Sequence, residues 1–400
     1  MATPNSGSWA ILPKRIPFEQ YYQIDNNYKR FDSRNTAFSL KRRERGADTF
    51  SYTNKVWDKM RAGMPGFSHP DISFKNAANT SDNHHGFNSE YYSWFPLGVS
   101  VKPENVPKWE ASPEQAAKVV RKAALYYGAV TVGFTRLDER WIYSHTGDGR
   151  PINVTDVEKP IVNKDEIVIP ASYKYAVVMT VPMEQIENSY APTTIEVTSN
   201  MGYARMHVLA GTVAEFIRGL GWDAIPMGND TTLSVPMAIQ AGLGHAGRNG
   251  RLITWEKGSL VRICKIFTDL PLAPSPPAPT GIIEFCETCA KCAKQCPSQS
   301  IPLGPRTRQP LNESNNPRIL KWYTNEQTCF DYWHEVATGC SVCFRVCPFN
   351  KRPSAMHNLV QWTIQRTRLF NKFFVYMDDL VGYGKMSDPK EYWNKPFVRS

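Results

Sequence analysis

Two cysteine runs between Cys286 and Cys347 carry the spacing that most clearly predicts chemistry in this 400-residue chain. The runs read Cys286-x2-Cys289-x2-Cys292-x3-Cys296-Pro297 and Cys329-x10-Cys340-x2-Cys343-x3-Cys347-Pro348. With this spacing, three thiolates of one run bind one cubane cluster and the fourth binds the cluster of the other run. The sequence therefore predicts two iron–sulfur clusters, each most simply [4Fe–4S], and a role in electron transfer.

The crossing rule divides the eight cysteines into two ligand sets that mix the runs. One predicted set is Cys286, Cys289, Cys292 and Cys347, and the other is Cys329, Cys340, Cys343 and Cys296. A structural zinc site or a disulfide framework is the usual alternative for paired cysteines, but neither explains two endings of the form x3-Cys-Pro. The ninth cysteine, Cys264, lies in an apolar segment and is predicted to be a buried, inert thiol.

Composition sets the class of protein. An apolar content of 42% and an aromatic content of 12% are enough for a sizeable core. The net charge of +10 comes from scattered basic residues, so we do not expect a nucleic-acid partner. No apolar run approaches the roughly 18 residues of a membrane span. Residues 1–40 lack a secretory signal, so the protein is either cytoplasmic or has lost its leader.

The pattern along the chain predicts four parts. They are a loop-rich N-terminal wrapping segment (1–109), an α/β core (110–280) with an insertion (141–172), a dicluster unit (281–352) and a C-terminal helical segment (353–400). Within the core, Ser112 is predicted to cap a helix that ends at Tyr127, and Tyr175–Pro182 reads as a strand. Later elements are a helix face from Met206 to Leu220, a hairpin of 251–256 with 260–268, and one helix over about 356–380.

The residues before the cysteine runs exceed what a bare electron carrier needs, which indicates a second redox centre in the core. Gly242-x-Gly244-x-x-Gly247 matches a dinucleotide-binding fingerprint. That motif must follow a strand, whereas this one follows a helix-like segment and lacks the later acidic residue. We therefore attribute the match to coincidence.

Several core motifs make the chain resemble the catalytic subunits of the respiratory reductive dehalogenases over roughly residues 100–350. They are Gly202-Tyr203-Ala204-Arg205-Met206, Ile225-Pro226-Met227-Gly228-Asn229-Asp230, Leu233-Ser234-Val235-Pro236, Ala241-Gly242-Leu243-Gly244 and Val261-Arg262-x2-Lys265-Ile266-Phe267-Thr268-Asp269-Leu270-Pro271-Leu272. The resemblance implies an α+β fold, in which a nitroreductase-like α/β core binds a corrinoid beside a ferredoxin-like dicluster unit. It also implies a base-off cobalamin or related corrinoid, because family and chain both lack the Asp-x-His-x-x-Gly loop.

The catalytic trio that the resemblance implies is Tyr203, Asn229 and Arg262. Replacing carbon–chlorine by carbon–hydrogen consumes two electrons and one proton, so a site needs a proton donor. Tyr203 can donate if a guanidinium such as Arg262 stabilises the phenolate, and Asn229 can orient its hydroxyl. Predicted corrinoid contacts are Tyr203, Met206, Asn229, Thr231, Thr232, Leu233, Ser234, Val235, Gly242 and Arg262. For the segment from Thr231 to Val235, an ordinary helix N-terminus is the alternative.

The resemblance further implies the setting of the enzyme. We expect a small chlorinated methane, ethane or chloroethene as substrate and an upstream respiratory electron donor. A small integral-membrane anchor would hold the exported, leader-free protein on the outer face of the cytoplasmic membrane, and a homodimer is compatible with this. Two alternatives stay open, namely a cobalamin-dependent epoxyqueuosine reductase acting on tRNA and a dicluster electron-transfer subunit without its own chemistry.

Overall fold

The computed structural model describes residues 13–46, 53–85, 90–97, 107–352 and 354–396, so parts of the predicted N-terminal and C-terminal segments lie outside the described residues. The helices are α1 (Phe18–Tyr22), α2 (Ala37–Arg45), α3 (Thr53–Arg61), α4 (His69–His85), α5 (Pro113–Tyr126), α6 (Thr193–Gly219), α7 (Ser234–Gln240), α8 (Ile282–Cys289), α9 (Lys291–Lys294), α10 (Glu326–Val336), α11 (Val342–Arg345), α12 (Ala355–Ile364) and α13 (Asn371–Leu380). The strands are β1 (Thr131–Arg136), β2 (Ile152–Thr155), β3 (Ile161–Val162), β4 (Ile167–Pro170), β5 (Tyr175–Pro182), β6 (Ala224–Met227), β7 (His245–Ala246), β8 (Leu252–Ile253) and β9 (Val261–Thr268). None of the described helices has the length and apolar character needed to cross a bilayer.

An antiparallel four-stranded sheet with the order β1-β5-β9-β6 forms the centre of the core. Strand β9 lies between two neighbours and is buried along nearly its whole length, which agrees with its apolar residues Val261, Ile263, Cys264, Ile266 and Phe267. Because side chains alternate along a strand, Cys264 and Ile266 pack with α5 and α6, whereas Ile263 and Phe267 pack on the opposite face.

The predicted helices and strands of the core are largely confirmed. The Ser112 hydroxyl accepts a hydrogen bond from the Gln115 amide at 3.2 Å and caps α5. Strand β5 has the predicted bounds, and α6 carries the predicted apolar face. However, α6 begins at Thr193, well before the predicted face, because polar residues dominate its first turns.

The predicted hairpin of 251–256 with 260–268 is wrong. Its turn is real, because Gly258 has a φ of +57° and Thr254 bridges to Gly258. Beyond that turn, however, β9 pairs with β5 and β6, while β8 pairs with β7. A strand that is apolar on both faces is more stable between two partners than at the edge of a hairpin, so the tertiary pairing prevails.

The two terminal segments differ from the prediction in opposite ways. The N-terminal segment contains more helix than predicted, and the predicted C-terminal helix is broken. Four helices, α1 to α4, lie in the segment that was predicted to be loop-rich, so that description is wrong for the residues described. Tyr21, Tyr22 and Phe31 of this segment are buried in the main core. The predicted helix over 356–380 is wrong as one element, because it is broken into α12 and α13 around Thr367.

The predicted insertion carries its own small sheet of order β2-β4-β3. It is not a peripheral polar loop, because Trp141, Ile142, Ile152 and Ile169 are fully buried in the main core. The glycine motif at 242–247 follows α7 and contains the short β7, so the strand-to-helix context of a dinucleotide site is absent here.

Candidate active site and cysteine groups

Three elements bring Tyr203, Asn229 and Arg262 together, as predicted. Tyr203 lies on α6, Asn229 lies in the loop between β6 and α7, and Arg262 is the second residue of β9. The register of β9 on β5, which pairs Arg262 with Val181, places the guanidinium on the sheet face that α6 covers. Helix, loop and strand therefore converge on one point.

Within this site, Tyr203 is contacted from two sides. The Arg262 guanidinium carbon lies 4.4 Å from the centroid of the tyrosine ring, which is cation–π distance. The Asn229 side-chain amide donates a hydrogen bond to the Tyr203 hydroxyl oxygen at 3.2 Å. Because the hydroxyl accepts this bond, its own hydrogen stays available for another acceptor. Asn229 is exposed and Tyr203 is half-buried, so that acceptor can come from outside the protein.

The surroundings of Arg262 leave part of its hydrogen-bonding capacity unused. One terminal nitrogen donates to the Ser199 hydroxyl at 2.9 Å, but the buried Nε has no partner within the described part of the chain. The helix comes this close because residue 202 is glycine: a Cβ there would lie 3.0 Å from Cγ of Arg262. A half-buried guanidinium whose buried Nε keeps a free donor suits a group that becomes negatively charged during a reaction.

The segment after Asn229 only partly fits the predicted corrinoid contacts. Thr231, in a left-handed conformation with a φ of +64°, donates its hydroxyl to the Asp230 carboxylate at 2.9 Å. The Thr232 hydroxyl is buried and faces the sulfur of Met227. These two hydroxyls are therefore engaged inside the protein. The other three residues of the segment are partly exposed, namely Leu233, Ser234 and Val235.

Met206 and Gly242 have packing roles that account for them without a ligand. Met206 is fully buried in the core between α6 and the sheet. At Gly242, which has a φ of +76°, a Cβ would lie 2.2 Å from the carbonyl oxygen of Pro276. Neither residue is placed by the structure on the open side of Tyr203.

The first predicted cysteine set lines one cavity. Its four members are Cys286, Cys289, Cys292 and Cys347. Burial raises the pKa of the Cys292 thiol, and neighbouring thiols led by Cys286 raise it further. Arg248 lines the same cavity and donates to the Cys286 carbonyl at 3.1 Å. A group of four thiols, three of them on buried residues, beside a cation fits a polynuclear iron centre, which supplies the positive charge that thiolates need.

The second predicted set also gathers in one place. Burial raises the pKa of the Cys343 thiol, and the charges of Cys329, Cys340 and Cys296 act on it in the same direction. The distant Cys329 therefore lies with its predicted partners, brought there by α10. None of the nine cysteines, all of which fall in described ranges, forms a disulfide. Cys264 is fully buried as predicted, and burial raises its pKa to about 12.

The second cysteine set lies next to the Tyr203 site. Cys343 packs on a small apolar cluster that contains Met183. The side chain of Met183 also borders the α6 backbone beside Tyr203, since a Cβ at Gly202 would lie 3.2 Å from its Cγ. Arg251 bridges the same region, because its pKa is raised by Glu326 first and also by Cys329, Cys343 and Tyr203.

Sequence reasoning missed two cations of the site region, Arg251 and Lys265. Lys265 is fully buried in the middle of β9, with apolar residues on either side of it in the strand. A lysine inside an apolar run is itself a signal, because a buried charge is costly unless it bonds to specific partners. Its partners could not be known before the pairing of β9 was known.

Comparison with known families identifies the cysteine region independently. Residues 285–350 match the 4Fe-4S double cluster binding domain family. The match spans all eight cysteines of the two predicted ligand sets. It therefore confirms that this segment is a dicluster domain.

Comparison with characterised proteins covers most of the chain. It is 36% identical over 317 residues to the tetrachloroethene reductive dehalogenase of Sulfurospirillum multivorans, which covers 75% of this chain and 62% of that protein. It is 33% identical over 376 residues to a tetrachloroethene reductive dehalogenase of Desulfitobacterium hafniense, covering 84% of this chain and 68% of the relative. An epoxyqueuosine reductase of Listeria monocytogenes is 33% identical over 124 residues, only 29% of this chain. The chain thus spans about two thirds of the length of the dehalogenases.

Solved structures show the same fold. A catabolic reductive dehalogenase aligns with 94% of this chain and 49% of its own, with a TM-score of 0.69 and 21% identity. A reductive dehalogenase described with a mechanism for B12-dependent dehalogenation aligns with 96% of this chain and 50% of its own, with a TM-score of 0.70 and 20% identity. These similarities confirm the predicted α+β fold class.

Proposed function

The chain belongs to the reductive dehalogenase family, and we propose that it replaces a carbon–chlorine bond by a carbon–hydrogen bond in a small chlorinated hydrocarbon. The observation that carries the proposal is that one half-buried tyrosine, Tyr203, is contacted by Asn229 at its hydroxyl and by Arg262 at its ring. Since the chain spans 62% of one curated relative, the activity of the whole protein is inferred from this site.

The overall reaction joins the organochloride, two electrons and one proton to give the hydrocarbon and chloride. We propose that Tyr203 donates the proton, because its hydroxyl hydrogen is not used on Asn229. Arg262 would stabilise the resulting phenolate from 4.4 Å above the ring, and Asn229 would hold the oxygen in place. A positioned acid of this kind typically contributes a rate factor of roughly 10² to 10⁴.

The two electrons must come through bound cofactors. The cysteine groups suit iron–sulfur clusters, and the open side of Tyr203 suits a corrinoid. We propose that a base-off corrinoid lies against Tyr203, Asn229 and Arg262, with Leu233, Ser234 and Val235 as further contacts. Bound there, it would supply a low-valent cobalt as the reductant of the carbon–chlorine bond. The unpartnered, buried Nε of Arg262 and the exposed Asn229 amide support an additional group at this place.

The two clusters would transfer electrons to the Tyr203 site. We propose the crossed ligand sets, so Cys296 belongs with Cys329, Cys340 and Cys343, and Cys347 belongs with the first run. The set containing Cys343 would be the inner cluster, because Cys343 shares the apolar neighbour Met183 with the Tyr203 site. Electrons would then enter at the outer cluster and leave from the inner one.

The substrate and setting follow the relatives. We propose a one- or two-carbon chlorinated compound, and chloroethenes are the first to test because the relatives are named for tetrachloroethene, trichloroethene and chloroethene. We also propose a respiratory electron donor, a small membrane anchor, export to the outer face of the cytoplasmic membrane and a homodimer. These assignments rest on family membership.

Metal analysis and turnover test the proposal together. Anaerobically reconstituted protein should contain cobalt with about eight irons per chain, and should release chloride from tetrachloroethene when a low-potential donor is added. Iron without bound corrinoid would favour an electron-transfer subunit. Reduction of epoxyqueuosine in tRNA without chloride release would favour the other alternative. Either result would contradict the proposed function.

A further inference from the structure

Lys265 occupies an unusual position for a charged residue. It lies in the middle of β9, has no exposed surface, and points to the sheet face opposite Arg262. Its ammonium group donates to the carbonyl of Gly228 and, at 2.8 Å, to the hydroxyl of Ser234. One strand thus sends two cations to the same region from opposite faces.

The two partners of Lys265 bracket Asn229 in sequence. Gly228 directly precedes Asn229, and Ser234 begins the helix that follows the loop. The Ser234 hydroxyl donates to the side-chain oxygen of Asn229 at 3.4 Å, and the Asn229 amide nitrogen donates to Tyr203 at 3.2 Å. The four side chains therefore form one chain of hydrogen bonds that starts at the buried ammonium.

The direction of this chain follows from chemistry. An ammonium group can only donate, so the Ser234 oxygen must accept and its own hydrogen must be used elsewhere. The acceptor of that hydrogen is the Asn229 side-chain oxygen, at 3.4 Å. With that oxygen engaged, the amide nitrogen is the end of Asn229 that faces Tyr203. If the amide were reversed, it would present an acceptor, and the Tyr203 hydrogen would be drawn to it.

From this arrangement we propose that Lys265 is a positioning residue, which acts through Ser234 to fix the Asn229 amide with its nitrogen toward Tyr203. The consequence is that the tyrosine proton is kept for the substrate. The inference rests on the proposed role of Tyr203 as proton donor.

The cost of the arrangement supports a specific role. Burial lowers the pKa of Lys265 to about 8, although the charge of Asp230 favours the ammonium form. An apolar side chain of similar length at this buried position would avoid this penalty. Gly228 is equally constrained, because a Cβ there would lie 2.0 Å from the Tyr92 hydroxyl.

Two variants test the proposal, and a third serves as control. Ser234→Ala removes the middle hydroxyl, and Lys265→Met removes the ammonium while keeping the length of the side chain. The cobalt content of each variant is measured, because Ser234 is also a proposed corrinoid contact. Lys321→Met is the matched control, since burial also lowers the pKa of Lys321 to about 8 but its ring contact is with Tyr323. Each holoprotein is prepared with both cofactors and assayed for chloride release from a chlorinated ethene.

We expect Ser234→Ala and Lys265→Met each to lower kcat about tenfold and to change KM less than twofold. The reason is that the orientation of the Asn229 amide is lost, whereas the binding of the substrate is not. The double variant should be no slower than the slower single variant, since both act on one hydrogen-bond chain. Ser234→Thr, which keeps the hydroxyl, should be less impaired than Ser234→Ala. An unchanged kcat in Ser234→Ala, or independent losses in the double variant, would overturn the proposal.

A readout independent of turnover is the neutron crystal structure of Ser234→Ala, which shows the amide hydrogens and so distinguishes the side-chain nitrogen of Asn229 from its oxygen. The proposal predicts that the Asn229 nitrogen no longer faces the Tyr203 oxygen, and an unchanged amide orientation would refute it. If the wild-type protein releases no chloride, the proposed function fails, while this structural readout still decides the role of Ser234 and Lys265. The structure of Ser234→Ala also tests the proposal if the Lys265→Met protein does not fold.

Discussion

The cysteine region and the Tyr203 site differ in how the chain builds them. The eight cluster cysteines lie in one stretch, with spacings that follow from the shape of short helices such as α8 and α9. The Tyr203 site takes one residue each from a helix, a loop and a strand, and single contacts of 3.2 Å and 4.4 Å join them. The comparison teaches that a locally encoded site can be predicted from spacing, whereas an assembled site depends on the sheet register.

The largest effect is expected in the cysteine region. Cys296→Ala should remove one complete cluster, about half of the iron, because a cubane needs its fourth thiolate. Electron paramagnetic resonance of reduced protein should show the same remaining signal in Cys296→Ala and Cys329→Ala, although Cys296 belongs to the first run. Cys264→Ala is the control and should keep all iron. A spectrum of Cys296→Ala that matches Cys286→Ala would contradict the crossed ligand sets.

At the Tyr203 site, the effect of removing one charge should be smaller than that of losing a cluster, but still large. Arg262→Gln should lower kcat by roughly 10² to 10³, the range seen when a donor to a developing anion is removed. The iron content should stay unchanged, since Arg262 is not a cluster ligand, and the rate is expressed per bound cobalt because Arg262 is a proposed corrinoid contact. Arg136→Gln, an exposed arginine on β1, is the matched control. Equal rates for both variants would show that Arg262 takes no part in the reaction.

Packing beside the cysteine region should make the stability of the protein depend on pH. Burial lowers the pKa of His245 to about 4, so the native protein keeps this imidazole neutral while the unfolded chain protonates near pH 6.5. Stability is therefore complete above pH 6.5 and falls by up to about 3 kcal/mol as the pH drops toward 4.

Urea unfolding of wild-type and His245→Gln protein between pH 4 and 7.5 measures this contribution. The difference in unfolding free energy between the two should shrink as the pH falls. A constant difference across the range would show that His245 does not titrate in this way.

The smallest effect tests the close approach of α6 to β9. Gly202→Ala would bring a Cβ to 3.0 Å from Arg262 and should lower kcat about tenfold by displacing the guanidinium. Gly219→Ala lies on the same helix with no atom within 4 Å, so its activity should be unchanged. If the two variants behave alike, the distance between Tyr203 and Arg262 does not limit the reaction.

The fold was predictable where local rules were sufficient. Ser112 as a cap and the apolar run of β5 needed only neighbouring residues. The hairpin prediction failed although its turn at Gly258 exists, because the choice of β5 and β6 as partners of β9 is decided by burial of both faces. The helices α1 to α4 were missed because contacts with distant elements, above all between α4 and α6, stabilise them.

The site was predictable only in part, for the same reason. Tyr203, Asn229 and Arg262 could be named from the resemblance, and the structure brings them together. The Thr231 and Thr232 hydroxyls, however, are engaged inside the protein, and no sequence pattern distinguishes an inward threonine from an outward one. Lys265 was visible as a charge in an apolar strand, but its partners depend on the fold of the loop after β6.

The most direct test of the account is single-turnover chloride release by Tyr203→Phe, which removes only the proposed proton. Loaded with both clusters and corrinoid and reduced beforehand, this variant should react with a chlorinated ethene roughly 10² to 10⁴ times more slowly than the wild type. Tyr126→Phe, at a tyrosine that is 87% exposed, should match the wild type. A Tyr203→Phe protein that releases chloride at the wild-type rate would contradict the proposed mechanism.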